Sequence, residues 1–305
     1  MNILFFYCVS NIYPPWRNLN LKNKKMISEK INKTYQLGGE VTVNRIGFGA
    51  MRITGKGIWG MPLDKGNAIK VLQKAVALGV NFIDTADSYG PSVSEELIAE
   101  ALYPYQKGLI IATKGGLERP GPDQWTPNGD PKYLQNALEG SLKRLKLESI
   151  DLYQLHRIDG KIPVEDQMNF LKNAQEQGLI KHIGLSEVGV EDIKRAMDYF
   201  TVTSVQNMYS YGNRKWEDVL KFTEENNIAF IPWFPLDAGN PAGEDKLKQI
   251  AQKHNSTVHQ VALNWLLNHA SNLLLIPGTA NLEHLAENMG ALQIELSEED
   301  MAFLG

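Results

Sequence analysis

Four side chains that can hold, move or orient a proton follow apolar, β-rich runs of this 305-residue sequence. Asp84 and Tyr89 lie in the run VNFIDTADSYG, Lys114 ends the run IIATK, and His156 directly follows IDLYQL. Each one alone has an ordinary interpretation, such as a structural histidine, a solvated lysine or a carboxylate that caps a turn. Because all four follow runs of the same kind, the set is more informative than any member.

The four side chains together describe a general acid. A phenol has a pKa near 10, so Tyr89 can donate a proton at neutral pH. Lys114 beside it would stabilise the phenolate, and Asp84 would fix Lys114 in place. His156 would donate a hydrogen bond that orients a substrate oxygen. Such a set protonates a carbonyl oxygen as it becomes an alkoxide, and it requires a hydride-donating cofactor because no side chain supplies hydride.

The rest of the chain predicts how these residues are positioned. Eight apolar runs of strand type alternate with segments of helical period such as NAIKVLQKAVALG; the runs are 45–51, 80–84, 109–113, 150–155, 181–186, 203–206, 228–233 and 272–277. This pattern predicts an α/β fold, a (β/α)8 TIM barrel, whereas an open doubly wound sheet would use about six strands. TYQLGGEVTVN predicts an N-terminal β-hairpin, and SEEDMAFL predicts a C-terminal helix. In a barrel, the four residues would meet at the carboxyl ends of the strands.

Composition limits the class of protein. The net charge is −4, and no basic run is longer than KNKK, so a nucleic-acid partner is not expected. No apolar stretch approaches the roughly 18 residues of a membrane span. The single cysteine, Cys8, fits a reducing compartment and a cytoplasmic location.

The first part of the chain differs from the remainder. Residues 1–33 are predicted to be a disordered extension or an upstream start, with Met26 as the working start, and residues 34–305 to be a single domain. The alternative of a signal peptide is weaker, because no positive charge precedes the apolar run and no small-residue cleavage site follows it. Deletion of residues 1–25 is expected to preserve folding and activity.

Three separated blocks, FIDTADSYG, ATKGG and LYQLHRID, closely resemble the aldo-keto reductases in order and spacing. The resemblance extends from about Thr34 to Gly305. It implies a (β/α)8 barrel that binds extended NADPH without a Rossmann domain and reduces a small-molecule carbonyl compound. It places the catalytic tetrad on Asp84, Tyr89, Lys114 and His156.

The resemblance also implies a set of cofactor contacts: Gly49, Met51, Ser186, Glu187, Gln206, Phe234, Leu236, Gly278, Thr279, His284, Glu287 and Asn288. Three of these depart from the usual pattern. Glu187 stands where Asn is usual, and an ionised carboxylate cannot donate to the carboxamide oxygen. Phe234 stands where Tyr is usual and keeps the stacking ring. His284 stands where many members have an Arg for the 2′-phosphate, so NADPH is predicted with NADH as the alternative.

The overall pattern is most similar to the bacterial members that include pyridoxal reductases, which makes pyridoxal a candidate substrate. Trp59 and Trp125, in the loops after the first and third strands, are expected to line the substrate pocket or to pack on the barrel rim. Two other functions remain open: a slowly turning cofactor-binding regulatory module, and a non-redox enzyme that uses Lys114 as a Schiff base. A monomer or weak homo-oligomer is expected.

Other patterns are interpreted as structural. GKGIWG matches a dinucleotide fingerprint in letters, but four residues follow it before the helix begins, so a loop is predicted. YPYQK has the Tyr–Lys spacing of short-chain dehydrogenases, but its proline breaks the helix that this spacing requires. His254, His259 and His269 lack metal-ligand spacing, and no metal is predicted.

Overall fold

The computed structural model of the chain describes residues 33–237 and 244–305. The predicted extension therefore lies outside the described residues, apart from Lys33, and remains a prediction. In chain order the strands are β1 Thr34–Leu37, β2 Val41–Asn44, β3 Phe48–Gly49, β4 Phe82–Asp84, β5 Ile110–Gly115, β6 Leu117–Glu118, β7 Thr126–Pro127, β8 Ile150–Leu155, β9 Ile180–Ser186, β10 Val202–Gln206 and β11 Ala229–Phe230.

Seven strands pair in parallel in the order β11-β10-β9-β8-β5-β4-β3. Residues 272–276 close this sheet into a barrel by pairing with both of its edges. Gly47 N donates to Leu275 O at 2.8 Å, and Leu274 N donates to Phe230 O at 2.9 Å. The last predicted strand therefore forms single parallel bridges to its neighbours, and all eight predicted runs lie in the barrel wall. The prediction of a (β/α)8 barrel is confirmed.

Helices follow the barrel strands as the apolar periodicity predicts. The helices in the described residues are α1 Lys65–Ala77, α2 Val93–Leu102, α3 Pro131–Leu145, α4 Val164–Glu176, α5 Val190–Met197, α6 Glu217–Glu225, α7 Glu244–Lys253, α8 Val258–His269, α9 Leu282–Gly290 and α10 Glu298–Leu304. In α10, Ser297 and Asp300 form the predicted capping box. None of the helices in these two ranges has the length and apolar character needed to cross a bilayer.

The hairpin of β1 and β2 closes the amino-terminal end of the barrel. Gly38 and Gly39 turn it at φ +61° and +78°, values that glycine adopts without strain. Leu37 and Val43 are fully buried in one apolar cluster with barrel residues such as Phe82. Because this end is sealed by packed side chains, the open end of the barrel is the one at the carboxyl ends of the strands.

Loops surround the open end. The segment GKGIWG lies in the loop between β3 and α1, with Gly57 and Gly60 at φ +70° and +67°, and it does not open a helix. Helix α2 ends at Leu102, before Tyr103, so both structural interpretations are confirmed. The antiparallel pair of β6 and β7 was not predicted from the sequence.

Candidate active site

Asp84 and Lys114 form a buried ion pair at the carboxyl ends of β4 and β5. Lys114 Nζ donates to Asp84 Oδ1 at 2.6 Å, to the Thr85 carbonyl oxygen at 2.7 Å and to the Tyr89 hydroxyl oxygen at 3.3 Å. The exposed fractions of the two charged side chains are 0% for Lys114 and 2% for Asp84. Three acceptors around one ammonium compensate its loss of water, which a buried charge requires.

The second carboxylate oxygen of Asp84 is held by two amides. Gln154 Nε2 donates to Asp84 Oδ2 at 3.1 Å and Gln206 Nε2 donates to it at 2.9 Å. Gln154 lies on β8, where the parallel register aligns it with Lys114. Amides from two further strands therefore fix the carboxylate, which in turn fixes the Lys114 ammonium beside the Tyr89 phenol.

The protonation states of this group follow from burial and charge. Burial alone would lower the pKa of Lys114, but the Asp84 carboxylate and its hydrogen bonds outweigh this and raise the pKa above its ordinary value. Burial raises the pKa of the Tyr89 phenol, and the positive charge of Lys114 only partly offsets that increase. Lys114 is therefore charged and Tyr89 protonated at neutral pH, and the charge of Lys114 is in place to stabilise a phenolate.

His156 lies beside the phenol at the end of β8. Its ring centroid is 5.9 Å from that of Tyr89, and its Nδ1 is 3.3 Å from the Ser88 hydroxyl. Burial lowers the pKa of His156 well below its usual range, and the charges of Lys114 and Arg157 lower it further. The ring is neutral at pH 7, and when the Ser88 hydroxyl donates to Nδ1 the ring hydrogen is on Nε2.

A cavity of about 1220 Å³ lies at the carboxyl ends of the strands, with Asp84, Tyr89 and His156 in its wall. Lys114 lies behind them, bonded to Asp84 and Tyr89. Most residues expected to contact a cofactor also line this cavity: Gly49, Met51, Ser186, Gln206, Phe234, Leu236, Gly278, Thr279, His284, Glu287 and Asn288. The cavity is large enough for a dinucleotide and a small second ligand.

Glu187, the remaining residue of that set, is not among the lining residues. Its backbone is in the left-handed region, at φ +55°. Its carboxylate accepts hydrogen bonds from Met208 N at 2.6 Å and from Trp233 Nε1 at 2.7 Å. The Glu187 side chain therefore connects the end of β9 to the segments after β10 and β11. Phe234, which lines the cavity, directly follows Trp233, and the centroids of the two rings are 4.8 Å apart.

The two tryptophans expected at the substrate pocket lie in different places. Trp125 lines the cavity, with its ring centroid 6.3 Å from that of Tyr89 and 6.4 Å from that of His156. Trp59 is 36% exposed at the rim, where its backbone pairs with Gly90, and it is not among the lining residues. Of the pair, Trp125 is the one placed to contact a substrate.

A model of the Aldo/keto reductase family matches residues 45–304, which is most of the chain. The chain belongs to the aldo/keto reductase family. It is an NAD(P)H-dependent oxidoreductase, and the prediction made from the three sequence blocks is confirmed.

Relatives of this aldo/keto reductase include other oxidoreductases. An uncharacterized oxidoreductase of Schizosaccharomyces pombe is 52% identical over 267 residues, 87% of each chain. Pyridoxine 4-dehydrogenase of Escherichia coli is 41% identical over 279 residues, 90% of this chain and 97% of its own. A crystal structure of an aldo-keto reductase from Klebsiella pneumoniae in complex with NADPH has a TM-score of 0.75 at 25% identity and covers 89% of this chain and 93% of its own. The cofactor named there agrees with the predicted NADPH.

The sequence-based reasoning missed Arg157, a cavity residue of this reductase that touches a predicted cofactor ligand. Arg157 Nη1 donates to Ser186 Oγ at 2.9 Å and to the His156 carbonyl oxygen at 2.6 Å. Burial lowers the pKa of Arg157, and the Glu187 carboxylate partly restores it. Its position directly after His156, in the loop that follows β8, was the available signal, because the loops after the strands surround the open end of a barrel.

Proposed function

We propose that this chain reduces aldehydes or ketones to alcohols with hydride from NADPH, and that Tyr89 is the proton donor. The observation that carries this proposal is the hydrogen-bonded series from Asp84 through Lys114 to the Tyr89 hydroxyl at the wall of the cavity. A protonated phenol held next to a fixed ammonium can release its proton only to a base that forms beside it. An oxygen that gains negative charge during carbonyl reduction is such a base.

The proposed mechanism divides the work among these side chains. NADPH, when bound, supplies the hydride to the carbonyl carbon. As charge develops on the carbonyl oxygen, the Tyr89 hydroxyl donates its proton to that oxygen. Lys114 stabilises the resulting phenolate, and His156 donates from Nε2 to hold the oxygen in place. The exclusion of water from this nearly buried group strengthens each of these interactions.

The donors and acceptors in the cavity fit a nicotinamide carboxamide. Ser186 and Gln206 are register partners on β9 and β10. Ser186 Oγ accepts a hydrogen bond from Arg157, so its own hydrogen is available to a carboxamide oxygen. Gln206 uses its Nε2 on Asp84, so its amide oxygen is available to the carboxamide NH2. The two polar neighbours thus define which way a carboxamide would lie.

Groups at the other end of the cavity could bind the phosphates of NADPH. Asn281 caps α9 by accepting from Glu283 N at 2.7 Å and His284 N at 3.2 Å, so those N–H groups are not free for a phosphate. We propose that the phosphates contact the backbone of Gly278 and Thr279, before the cap, and that the side chain of His284 contacts the 2′-phosphate. NADH is the alternative cofactor, because histidine is a weaker cation than arginine.

Pyridoxal is the candidate substrate, with pyridoxine as its reduced product. The support is the 41% identity to pyridoxine 4-dehydrogenase and the aromatic wall of Trp125, Tyr89 and His156. Rings of this kind favour edge and stacking contacts with a planar aromatic aldehyde. We further propose a cytoplasmic, reducing location and a monomer or weak homo-oligomer.

The test is a steady-state panel of aldehydes and ketones that includes pyridoxal, with NADPH and NADH in parallel and the Tyr89→Phe variant as control. Turnover by the native chain and its loss in the variant support the proposal. Tight NADPH binding without turnover of any carbonyl would instead indicate a regulatory module. A Schiff-base enzyme is disfavoured because Lys114 is unexposed, charged and already bonded to three oxygens. Borohydride trapping at Lys114 without nicotinamide would overturn that argument.

A further inference from the structure

Arg119 connects three loops around the mouth of the cavity. It directly follows β6, and its guanidinium donates to five backbone carbonyl oxygens. Nη1 donates to Ile58 O at 2.8 Å and Ser88 O at 2.7 Å, Nη2 to Gly57 O at 3.0 Å and Gly121 O at 3.4 Å, and Nε to Gln124 O at 2.8 Å. These acceptors belong to the loops after β3, β4 and β6.

The chemistry of this contact is specific to arginine. Guanidinium offers five N–H donors in a rigid fork, whereas a lysine ammonium offers three donors from one atom. Hydrogen bonds from a charged donor are about twice as strong as neutral ones. A lysine at position 119 would keep the charge but could not satisfy the same five carbonyl oxygens. The Arg119→Lys substitution therefore tests the loss of the guanidinium hydrogen bonds while the positive charge is kept.

The same guanidinium packs on the wall of the cavity. Arg119 Cζ lies 3.6 Å from the centroid of the Trp125 ring, a close cation–π contact. Trp125 in turn contacts the rings of Tyr89 and His156 by their edges. The position of Arg119 thus determines where the aromatic wall stands relative to the proposed proton donor.

We propose that Arg119 is a positioning residue for the carbonyl substrate: it holds Trp125 beside Tyr89 and fixes the three mouth loops. This inference rests on the proposed function. Gly49 and Met51 lie on and directly after β3, ahead of the acceptors Gly57 and Ile58 in the same loop. The other groups proposed to hold the cofactor lie on β9, β10 and the segments after β11 and residue 276, away from the Arg119 acceptors. Arg119 therefore acts on substrate affinity and leaves NADPH affinity unchanged.

The first experiment compares Arg119→Lys with Arg195→Lys, the matched change at an exposed arginine in the last turn of α5. For an aromatic aldehyde, Arg119→Lys should raise KM about tenfold or more, while the NADPH Kd from fluorescence titration stays within about twofold. Arg195→Lys should change neither. An unchanged KM, or a rise in NADPH Kd as large as that in KM, would overturn the proposal.

A double-mutant cycle tests whether Arg119 acts through Trp125. If it does, Arg119→Lys should add little to the KM already raised by Trp125→Leu, whereas independent effects would multiply and contradict the proposed route.

Hydrogen exchange separates failure of this inference from failure of the proposed function. Exchange of the backbone amides in segments 55–60, 86–92 and 119–125 should be faster in Arg119→Lys than in the native chain, in all three segments together, and this readout needs no turnover. Exchange that is unchanged in the loops after β3 and β4 would overturn the inference even if the chain reduces carbonyl compounds. A native chain that reduces no carbonyl compound, with the exchange result intact, would refute the proposed function and the effect on substrate affinity, and would leave only the contact of Arg119 with the three loops supported.

Discussion

Lys114 Nζ lies 2.6 Å from Asp84 Oδ1 in a part of the barrel where neither side chain is more than 2% exposed. A buried ion pair of this kind contributes little net stability as a pair, but removal of one partner leaves an uncompensated charge. Replacement of one partner should therefore lower both stability and activity, whereas replacement of both partners should restore stability but not activity. Its hydrogen bonds to the Tyr89 hydroxyl and to the amides of Gln154 and Gln206 make it the structural centre of the site.

The Lys114→Met variant should lose about 3–5 kcal/mol of unfolding free energy, because Asp84 is then buried without a cation. The double variant Asp84→Asn, Lys114→Met should recover much of that loss in urea unfolding, since no charge is left unpaired. Neither variant should regain reductase activity. Equal stability of the single and double variants would show that the carboxylate does not depend on Lys114.

The Tyr89→Phe variant should lower kcat by about 10²-fold or more, the usual contribution of a general acid. The NADPH Kd should stay within about twofold, because the hydroxyl is bonded to Lys114 and not to a proposed cofactor ligand. Steady-state rates and fluorescence titration measure the two quantities. A kcat equal to that of the native chain would exclude Tyr89 as the proton donor.

His156 should make the protein less stable in mild acid. Burial lowers its pKa well below the usual range, so below pH of about 6.5 the unfolded chain binds a proton at this site that the folded chain does not. The unfolding free energy should then fall with decreasing pH, by about 1.4 kcal/mol per pH unit from this residue, until the folded pKa is reached. His156→Gln should remove that part of the slope. Parallel pH–stability curves for the two proteins would contradict the lowered pKa.

The His284→Arg variant should shift the preference further towards NADPH. A permanent cation at the far end of the cavity interacts with a 2′-phosphate that NADH lacks. We expect the ratio of the NADH Kd to the NADPH Kd to rise about tenfold, a typical size for one charged hydrogen bond. The NADH Kd serves as the internal control, and a parallel change in both constants would place the 2′-phosphate elsewhere.

Leu37→Ala should destabilise the fold by about 2–5 kcal/mol, because it removes a fully buried side chain from the hairpin that closes the barrel. Leu63→Ala is the matched control, since Leu63 is 110% exposed in the loop before α1. The NADPH Kd should not change in either variant. Equal melting temperatures for the two variants would mean that the hairpin contributes no packing energy.

Asp84, Lys114 and His156 could be placed from the sequence because each directly follows an apolar run whose direction a parallel barrel fixes. Strand alternation and the common rim then bring them together without any knowledge of the loops. The turn of the N-terminal hairpin could be located for a different reason, because two consecutive glycines permit positive φ. For a residue at the end of a strand, the neighbouring sequence was sufficient to predict its place in the barrel.

Arg119 and Glu187 show what the sequence could not provide. The five acceptors of Arg119 are backbone carbonyl oxygens, which carry no mark in the sequence, and they depend on the paths of three loops. Glu187 adopts φ +55°, and this turns its carboxylate towards Met208 and Trp233 and out of the cavity lining. The β6–β7 pair was missed because strands of two residues are too short for periodicity to be read.

The hairpin that closes the amino-terminal end of the barrel also affects the order in which ligands bind. In the described residues, Leu37 and Val43 fill that end, so a dinucleotide and a carbonyl compound would both enter at the carboxyl ends of the strands. The ligand that binds deeper in the cavity must then bind first and dissociate last. Initial-rate and product-inhibition patterns should therefore show an ordered mechanism.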